Sequence, residues 1–122
     1  MIPETRFDKD KGAVVIKFTE VWAEKDIPVL FSKLRELLED KPRRLLIADV
    51  SEAAPQKYSK EFRRLVGEET PTLKLEKTAI LGANPVVRMM AKVLMAAMKK
   101  KIPFNAEFFK KEKNAVEWLK QD

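Results

Sequence analysis

The side chains that most often carry enzyme chemistry are missing from this chain of 122 residues, which contains no histidine and no cysteine. Their absence excludes thiol nucleophiles, disulfides, imidazole or thiolate metal sites, and the Ser–His and Cys–His arrangements of hydrolases. Asp49 and Glu52 are acids that follow a predicted strand, but general acid–base catalysis would need a cleft and a shifted pKa. The sequence favours Asp49 as a cap for loop N–H groups, and we expect no enzymatic activity, cofactor or metal.

A candidate anion site lies in the turn Gly82-Ala83-Asn84-Pro85, which follows a buried apolar strand and opens a helix. Free N–H groups at a helix start attract anions, and Arg88, one turn into the helix, would add positive charge. The candidate anion-binding residues are therefore Gly82, Asn84 and Arg88. A lone glycine is far from a phosphate-binding fingerprint, so the favoured role of Asn84 is that of an ordinary N-cap.

The helix predicted from Pro85 to about Lys99 is apolar around most of its circumference, because Arg88, Lys92 and Lys99 fall on one narrow stripe. A helix packed on a sheet needs an apolar arc of little more than about 100°. The run is shorter than the roughly 20 residues that span a membrane. Its surplus surface is therefore domain core, a face for a homodimer or protein partner, or the wall of a pocket for an apolar, lipid-like molecule. The candidate binding side chains are Met89, Met90, Val93, Leu94, Met95 and Met98.

Hydrophobic periodicity divides the chain into alternating strands and helices. Two short strands flank the turn Lys9-Asp10-Lys11-Gly12, which predicts an N-terminal β-hairpin. The pattern then predicts, in order, a helix over Ile27–Leu38 with Asp26 as N-cap, a strand over Leu45–Val50, a helix over Tyr58–Glu69, a strand over Thr78–Leu81, the apolar helix, a strand over Phe104–Phe108 and a helix around Ala115–Leu119. This order predicts one α/β domain over residues 1–122, with a mixed, mostly parallel sheet of about five strands and about four helices.

Three short segments carry a resemblance to a known family. They are Leu46-Ile47-Ala48-Asp49-Val50-Ser51, Lys77-Thr78-Ala79-Ile80-Leu81-Gly82 and Ala115-Val116-Glu117-Trp118-Leu119. With these segments and this order of elements, the chain resembles the SpoIIAA-like branch of the STAS domain family, which shares its architecture with anti-sigma-factor antagonists. The resemblance covers nearly the whole chain and implies a STAS-like fold and a regulatory or ligand-sensing module rather than an enzyme.

The same resemblance implies Ser59 as a candidate phosphoacceptor. In antagonist-type members, a phosphorylated serine lies within Asp-Ser-Ser-Gly at the start of the helix after the central strand. That motif falls on Lys57-Tyr58-Ser59-Lys60, where lysines replace the acidic residue and the glycine. A phosphate would meet the free N–H groups of the helix start and these two lysines. Because serine at such a position is most often a helix N-cap, that role is favoured for Ser59.

The net charge of +6 originates entirely in the second half, since residues 62–122 carry 13 basic and 7 acidic side chains and residues 1–61 carry 12 of each. Lysine clusters bind polyanions, but the neighbouring phenylalanines alternate as in a strand, which makes nucleic-acid binding unfavoured. No export leader or membrane anchor is evident, which predicts a cytoplasmic location. We expect regulated binding of a protein partner or a second copy around the apolar helix, with an apolar small molecule as the alternative.

Overall fold

Strands and helices follow one another in the predicted order. The computed structural model describes residues 2–98 and 105–121, and the side chains of all of these except residues 97 and 98. Within these ranges the elements are β1 (Glu4–Asp8), β2 (Ala13–Lys17), α1 (Asp26–Leu38), β3 (Leu45–Asp49), α2 (Lys60–Leu73), β4 (Lys77–Leu81), α3 (Pro85–Met98), β5 (Ala106–Phe109) and α4 (Glu112–Lys120). Lys99 and Phe104, which were assigned to α3 and β5, lie outside the described residues.

The strands form one mixed sheet in which each strand pairs with its neighbours in sequence, in the order β1-β2-β3-β4-β5. Strands β1 and β2 are the antiparallel arms of the predicted hairpin, and the remaining pairs are parallel. In the hairpin turn, Gly12 has a φ of +67° and donates its N–H to the carbonyl of Asp8 at 2.9 Å. Glycine adopts this conformation at little steric cost, which explains its place in the turn.

Helices α1, α2 and α3 cover one face of the sheet. Each connects two adjacent parallel strands, and crossovers of the same hand place such helices on the same side. The buried side chains of this core are Val14, Ile16 and Leu46 from the strands, Trp22 from a loop, Ile27, Leu30, Phe31, Leu34 and Leu38 from α1, and Phe62, Val66 and Leu73 from α2. Helix α3 adds the partly buried Leu94 and Met95. The core on this face is therefore built mainly by α1 and α2.

Helix α4 covers the opposite face, against a smaller cluster. Its side chains Ala115 and Leu119 pack on a set of buried strand residues, namely Ala13, Leu45, Ile47 and Ala79. The helix is also tied to the hairpin turn, because the Lys120 ammonium donates to the carbonyl of Asp10 at 3.1 Å. Lys11 forms an ion pair with Glu112 at the start of the helix. Strand β3 is thus covered on both faces, as its continuous apolar run predicts.

The start of α1 differs from the prediction. Asp26 is wrong as the N-cap, since Lys25 occupies the cap position without a side-chain hydrogen bond and Asp26 is the first helical residue. The Asp26 carboxylate instead accepts the N–H of Ala23 at 2.9 Å, which fixes the turn that leads into the helix.

Helix α2 begins and ends later than the predicted Tyr58–Glu69. It runs from Lys60 to Leu73 and stops at Lys74, which has a left-handed φ of 51° and donates its N–H to the carbonyl of Pro71. Leu73 is buried in the core with 1% exposure. Burial of this side chain extends the helix by a turn beyond what local propensity indicates, because tertiary packing overrides weak intrinsic preference.

Candidate functional site

Helix α3 carries more apolar surface than the sheet below it covers. Among its described side chains, Val87 is the one that is fully buried, with 7% exposure. The outward side chains Val86, Met89 and Val93 are exposed by 47%, 60% and 49%. The surplus apolar surface predicted from the sequence is therefore present. No helix in the described ranges, 2–98 and 105–121, is long and apolar enough to cross a membrane.

The predicted binding side chains of α3 divide between two faces. Met90, Leu94 and Met95 are half-buried and point into the domain, whereas Met89 and Val93 are exposed. The side chain of Met98 lies outside the described part of the chain. The inward side chains thus pack on the core and border a cavity, and the pocket-wall and partner-face interpretations stay predictions.

A cavity of about 160 Å³ lies on the α1–α2–α3 side of the sheet, under α3. Its lining is formed by β2, β3 and β4, by the three helices, and by the loop between β3 and α2. The lining side chains contributed by the strands and by α3 are almost all apolar and include Ile16, Leu46, Ile80, Val87, Leu94 and Met95. Helix α3 packs beside α2.

A residue that lines the cavity has a buried polar atom without a partner among the described residues. Thr78, the second residue of β4, is 4% exposed, and its Oγ1 finds no hydrogen-bond partner among the described residues. Thr70 of α2 also lines the cavity, but its hydroxyl donates to the carbonyl of Val66 at 2.6 Å. A buried hydroxyl without a partner costs about 1–3 kcal/mol. Thr78 is therefore a polar group whose hydrogen-bonding capacity is unused by this part of the chain.

Gln56 ties two loops and α3 together at one end of the cavity. Its side-chain amide donates to the carbonyl of Trp22 at 2.7 Å and accepts the N–H of Trp22 at 3.1 Å. The Gln56 backbone N–H lies 3.1 Å from the sulfur of Met90 on α3. Unlike the Thr78 hydroxyl, both polar atoms of the Gln56 side chain have a partner, and these bonds hold the two loops together.

A group of aromatic rings lies near Gln56, and two of them, Trp22 and Tyr58, line the cavity. Trp22 meets Phe62 edge to face with ring centroids 4.7 Å apart, and Tyr58 stacks on Phe62 at 4.9 Å. Burial raises the pKa of Tyr58 above its usual value of 10.0. Aromatic pairs of this kind add stability beyond the area that they bury, so these contacts stabilise this end of the cavity.

The two cations of α3 lie over an aromatic ring of the edge strand. The Arg88 guanidinium is 4.6 Å from the ring centroid of Phe108 and the Lys92 ammonium is 5.9 Å away. Cation–π contacts of this geometry are attractive. They hold α3 over β5, and they place a basic strip beside the exposed apolar side chains.

Among the residues of the predicted anion site, the N–H of Gly82 is already used. Gly82, with a φ of +77°, donates it to the carbonyl of Phe109 at 2.9 Å. The Asn84 side chain accepts the N–H of Val87 at 2.9 Å, so Asn84 caps α3 as the favoured interpretation states. Arg88 lies on Phe108. Anion binding by these residues stays a prediction.

Ser59 is the N-cap of α2, as predicted. Its backbone is extended and its hydroxyl accepts the N–H of Phe62 at 3.0 Å. The same hydroxyl donates to the carboxylate of Glu24 in the loop before α1. A phosphate on Ser59 would thus face a carboxylate as well as the nearby lysines, and like charges repel. The phosphoacceptor role stays a prediction.

The acids at the end of β3 have structural partners. Asp49 accepts the N–H of Ser51 at 3.0 Å and its hydroxyl at 2.6 Å, which is the loop-capping role that the sequence indicates. Glu52 forms an ion pair with Lys17 at 2.6 Å and so raises the pKa of that lysine. In the described ranges, no group of three acidic, histidine or cysteine side chains is placed to hold a metal ion.

Sequence reasoning missed Gln56, Trp22 and Thr78. Gln56 and Trp22 lie in loops without periodicity, and their partnership joins positions 34 residues apart. Thr78 was predicted to lie in a strand. Side chains of a strand alternate between the two faces of the sheet, so the sequence already places the Thr78 side chain on the same face as Ile80.

Comparison with solved structures places this fold beside that of a variant of RsbS from Moorella thermoacetica. The TM-score is 0.60 at 14% sequence identity, covering 97% of this chain and 94% of that chain. RsbS is a STAS-domain protein, and the likeness confirms the SpoIIAA-like STAS fold. No curated protein matches the sequence. Residues 30–122 match the family model described as "Domain of unknown function (DUF7793)". Because this match spans more than half of the 122 residues of the chain, the chain belongs to the DUF7793 family.

Proposed function

We propose that this chain is a non-catalytic regulatory module that binds a protein partner through the outward face of α3. The observation that carries the proposal is the exposure of Val86, Met89 and Val93 along one face of a single helix. Apolar side chains scattered singly over a surface are normal, whereas a contiguous apolar patch marks an interaction site. The STAS-like fold agrees with a regulatory role.

The charge pattern of α3 favours a partner of different sequence over a second copy. Helical spacing places Arg88 and Lys92 beside Met89, and the helix from Pro85 to Met98 contains no acidic residue. In a symmetric pair the same patch meets itself, which would bring these cations together at the interface. A partner with an apolar patch bordered by carboxylates would satisfy both the apolar side chains and the cations.

Photo-crosslinking in the native host tests this proposal. A benzophenone amino acid replaces Met89 in one variant and Val29 in a matched control, since Val29 is an apolar side chain on α1 that is exposed by 57%. We expect irradiation to give an adduct of defined mass from position 89 that is absent from position 29, with a carboxylate-rich peptide crosslinked.

The outcomes of this experiment separate the alternatives. Equal labelling from positions 89 and 29, or none from either, would contradict the proposed partner surface. An adduct with twice the mass of the chain would overturn the choice of a different partner and identify self-association instead.

A second candidate function is the binding of an apolar small molecule inside the domain. The specific observation in its favour is the apolar cavity of about 160 Å³ under α3. Native mass spectrometry of freshly purified protein, before and after extraction with organic solvent, tests it. We expect a bound mass that the solvent removes. Protein that shows its bare sequence mass throughout would count against this function.

A further inference from the structure

We infer that the partner presents an amphipathic helix with acidic residues along one flank, and that this helix packs lengthwise on α3. The inference rests on the proposed function and names the secondary structure and the charge of the partner. Two observations carry it, namely the spacing of the exposed apolar side chains of α3 and the lack of carboxylate partners for its two cations among the described residues.

The exposed apolar side chains of α3 form one row, which we call the α3 seam. It consists of Val86, Met89, Val93 and Ala96, all of which are exposed. Steps of three, four and three residues keep these side chains on one side of a helix that turns by about 100° per residue. The same spacing places the buried Val87 toward the opposite side. The seam therefore runs along α3 for about 15 Å.

The spacing of the seam favours a helical partner. Alternating steps of three and four residues are those at which two helices pack side by side, with each side chain entering a gap on the other helix. An extended peptide would instead gain affinity from main-chain hydrogen bonds to a strand edge, and the main chain inside a helix is already hydrogen-bonded within it. A ridge one helix wide therefore matches another helix better than it matches a strand.

The cations beside the seam have no carboxylate partner within the ranges 2–98 and 105–121. Arg88 and Lys92 lie over the ring of Phe108. On β5, strand alternation turns Glu107 to the face opposite to Phe108. The three carboxylates of α2 already pair with arginines, namely Glu61 and Glu68 with Arg64, and Glu69 with Arg35.

This charge sets the polarity of the partner helix. Positive charge lies along one flank of the seam, and this part of the chain does not balance it with negative charge. A helix whose carboxylates lie on the matching flank would be attracted to α3 and held in one orientation. The seam also lacks the Trp, Phe and Leu side chains with which interfacial helices enter a bilayer, so a protein helix fits it better than an anionic membrane does.

Crosslinking from two positions one heptad apart measures the geometry of the partner. The benzophenone amino acid replaces Val86 in one full-length variant and Val93 in another, and mass spectrometry locates the crosslinked partner residues after irradiation in the native host. The two positions are about 10 Å apart along α3. A helical partner covers this distance with about seven residues and an extended one with about three. We expect crosslinks about seven residues apart in one segment that carries neighbouring Asp or Glu residues.

A synthetic peptide of the crosslinked segment tests the charge. Fluorescence anisotropy gives its dissociation constant for wild type, Lys92→Glu and Lys92→Arg, with Lys33→Glu as the control, since Lys33 is an exposed lysine of α1. We expect Lys92→Glu to weaken binding about tenfold, because an attraction becomes a repulsion. Lys92→Arg and Lys33→Glu should bind like wild type.

A second charge reversal separates recognition from loss of folding. The peptide carboxylate nearest to Lys92 is replaced by lysine, and this peptide should bind Lys92→Glu better than it binds wild type. A variant that had lost its fold would bind neither peptide. Equal binding of the original peptide by wild type and Lys92→Glu, or no binding by wild type, would contradict an acidic helix on the seam.

The remaining outcomes distinguish the inference from the proposed function. Crosslinks about three residues apart, or in separate segments, would overturn the helical partner and leave a protein partner at α3 standing. No adduct from positions 86, 89 and 93 would overturn both. Flotation of wild type, but not of Met89→Asp, with phosphatidylserine vesicles would assign the seam to a membrane instead of a protein helix.

Discussion

Helices α1 and α3 lie on the same face of the sheet and have nearly equal lengths, 13 and 14 residues, but they meet the core differently. The described part of α3 contains two charged residues and α1 contains four. Nevertheless α1 buries five large apolar side chains, namely Ile27, Leu30, Phe31, Leu34 and Leu38, whereas the described side chains of α3 include one buried residue, Val87. The helix with the more apolar sequence is the less buried one.

This difference separates two uses of apolar residues. In α1 the apolar stripe matches the surface that it covers, and Val29 is the one large apolar side chain that this helix leaves exposed. In α3 the apolar residues exceed what packing requires, and they are divided between a cavity and the solvent. Apolar composition in α1 therefore serves stability, and in α3 it provides the surfaces for which we propose a binding role.

The largest test of this comparison is a pair of leucine truncations. Leu34 of α1 is 2% exposed in the core, whereas Leu94 of α3 borders the cavity. We expect Leu34→Ala to lower the free energy of unfolding by about 3 kcal/mol, and Leu94→Ala by about 1 kcal/mol, because Leu94 already lacks contacts on its cavity side. Urea unfolding measures both values. Equal losses would mean that α3 is packed as tightly as α1.

The next test concerns the entry into α3, which depends on a glycine. Gly82 has a φ of +77°, and a Cβ there would lie 2.6 Å from the Cβ of Ser51. We expect Gly82→Ala to cost about 2 kcal/mol or more, from the strained backbone and the clash together. Thermal and urea unfolding report the loss.

Gly12 provides the matched control for Gly82. Its φ of +67° is similar, but a Cβ would meet nothing within 4 Å. Gly12→Ala should therefore show only the backbone cost of about 1 kcal/mol. If the two variants lost the same stability, the close approach to Ser51 would not matter and the entry into α3 would be less constrained than the structure indicates.

The smallest expected effect is that of pH on the start of α1. The Asp26 carboxylate accepts a hydrogen bond there, whereas the turn before α3 contains no carboxylate. The N–H of Ala23, donated to the Asp26 carboxylate, holds the pKa of Asp26 below its usual value of 3.8. Such a group stabilises the fold above its unfolded-state pKa, and its contribution is lost as the pH falls through the lower folded-state pKa. We expect Asp26→Asn to be less stable than wild type at neutral pH, with the gap closing below about pH 4.

Urea midpoints from pH 7 to pH 2.5 measure this gap. A difference between Asp26→Asn and wild type that stays constant over the whole range would show that the carboxylate charge is not what fixes the entry into α1.

The order and type of the elements could be predicted from the sequence because the local signals agree with the packing. The spacing of Ile27, Leu30, Phe31 and Leu34 matches one helix face, and the run from Leu45 to Asp49 lies in a strand covered on both sides. The first helical position of α1 and the end of α2 were not predicted. They depend on a backbone hydrogen bond to Asp26 and on the burial of Leu73, which are tertiary features.

The candidate site could be predicted only in part. The excess of apolar residues in α3 indicates binding, but it does not state which residues face inward. Helix α3 contacts α2 and Phe108, and the cavity lies across the distance between this helix and the strands. No local pattern encodes such a distance, because it results from contacts between elements far apart in sequence.

The sequential order of the strands has a consequence for folding. Each strand pairs with the one before it in the chain, so the sheet can grow by closing one loop at a time, and the entropy cost of each closure stays modest. Helix α4 departs from this scheme, because Lys120 bonds the carbonyl of Asp10 across 110 positions. One face of the sheet can therefore fold as the chain emerges from the ribosome, whereas the other face has to wait for the final helix.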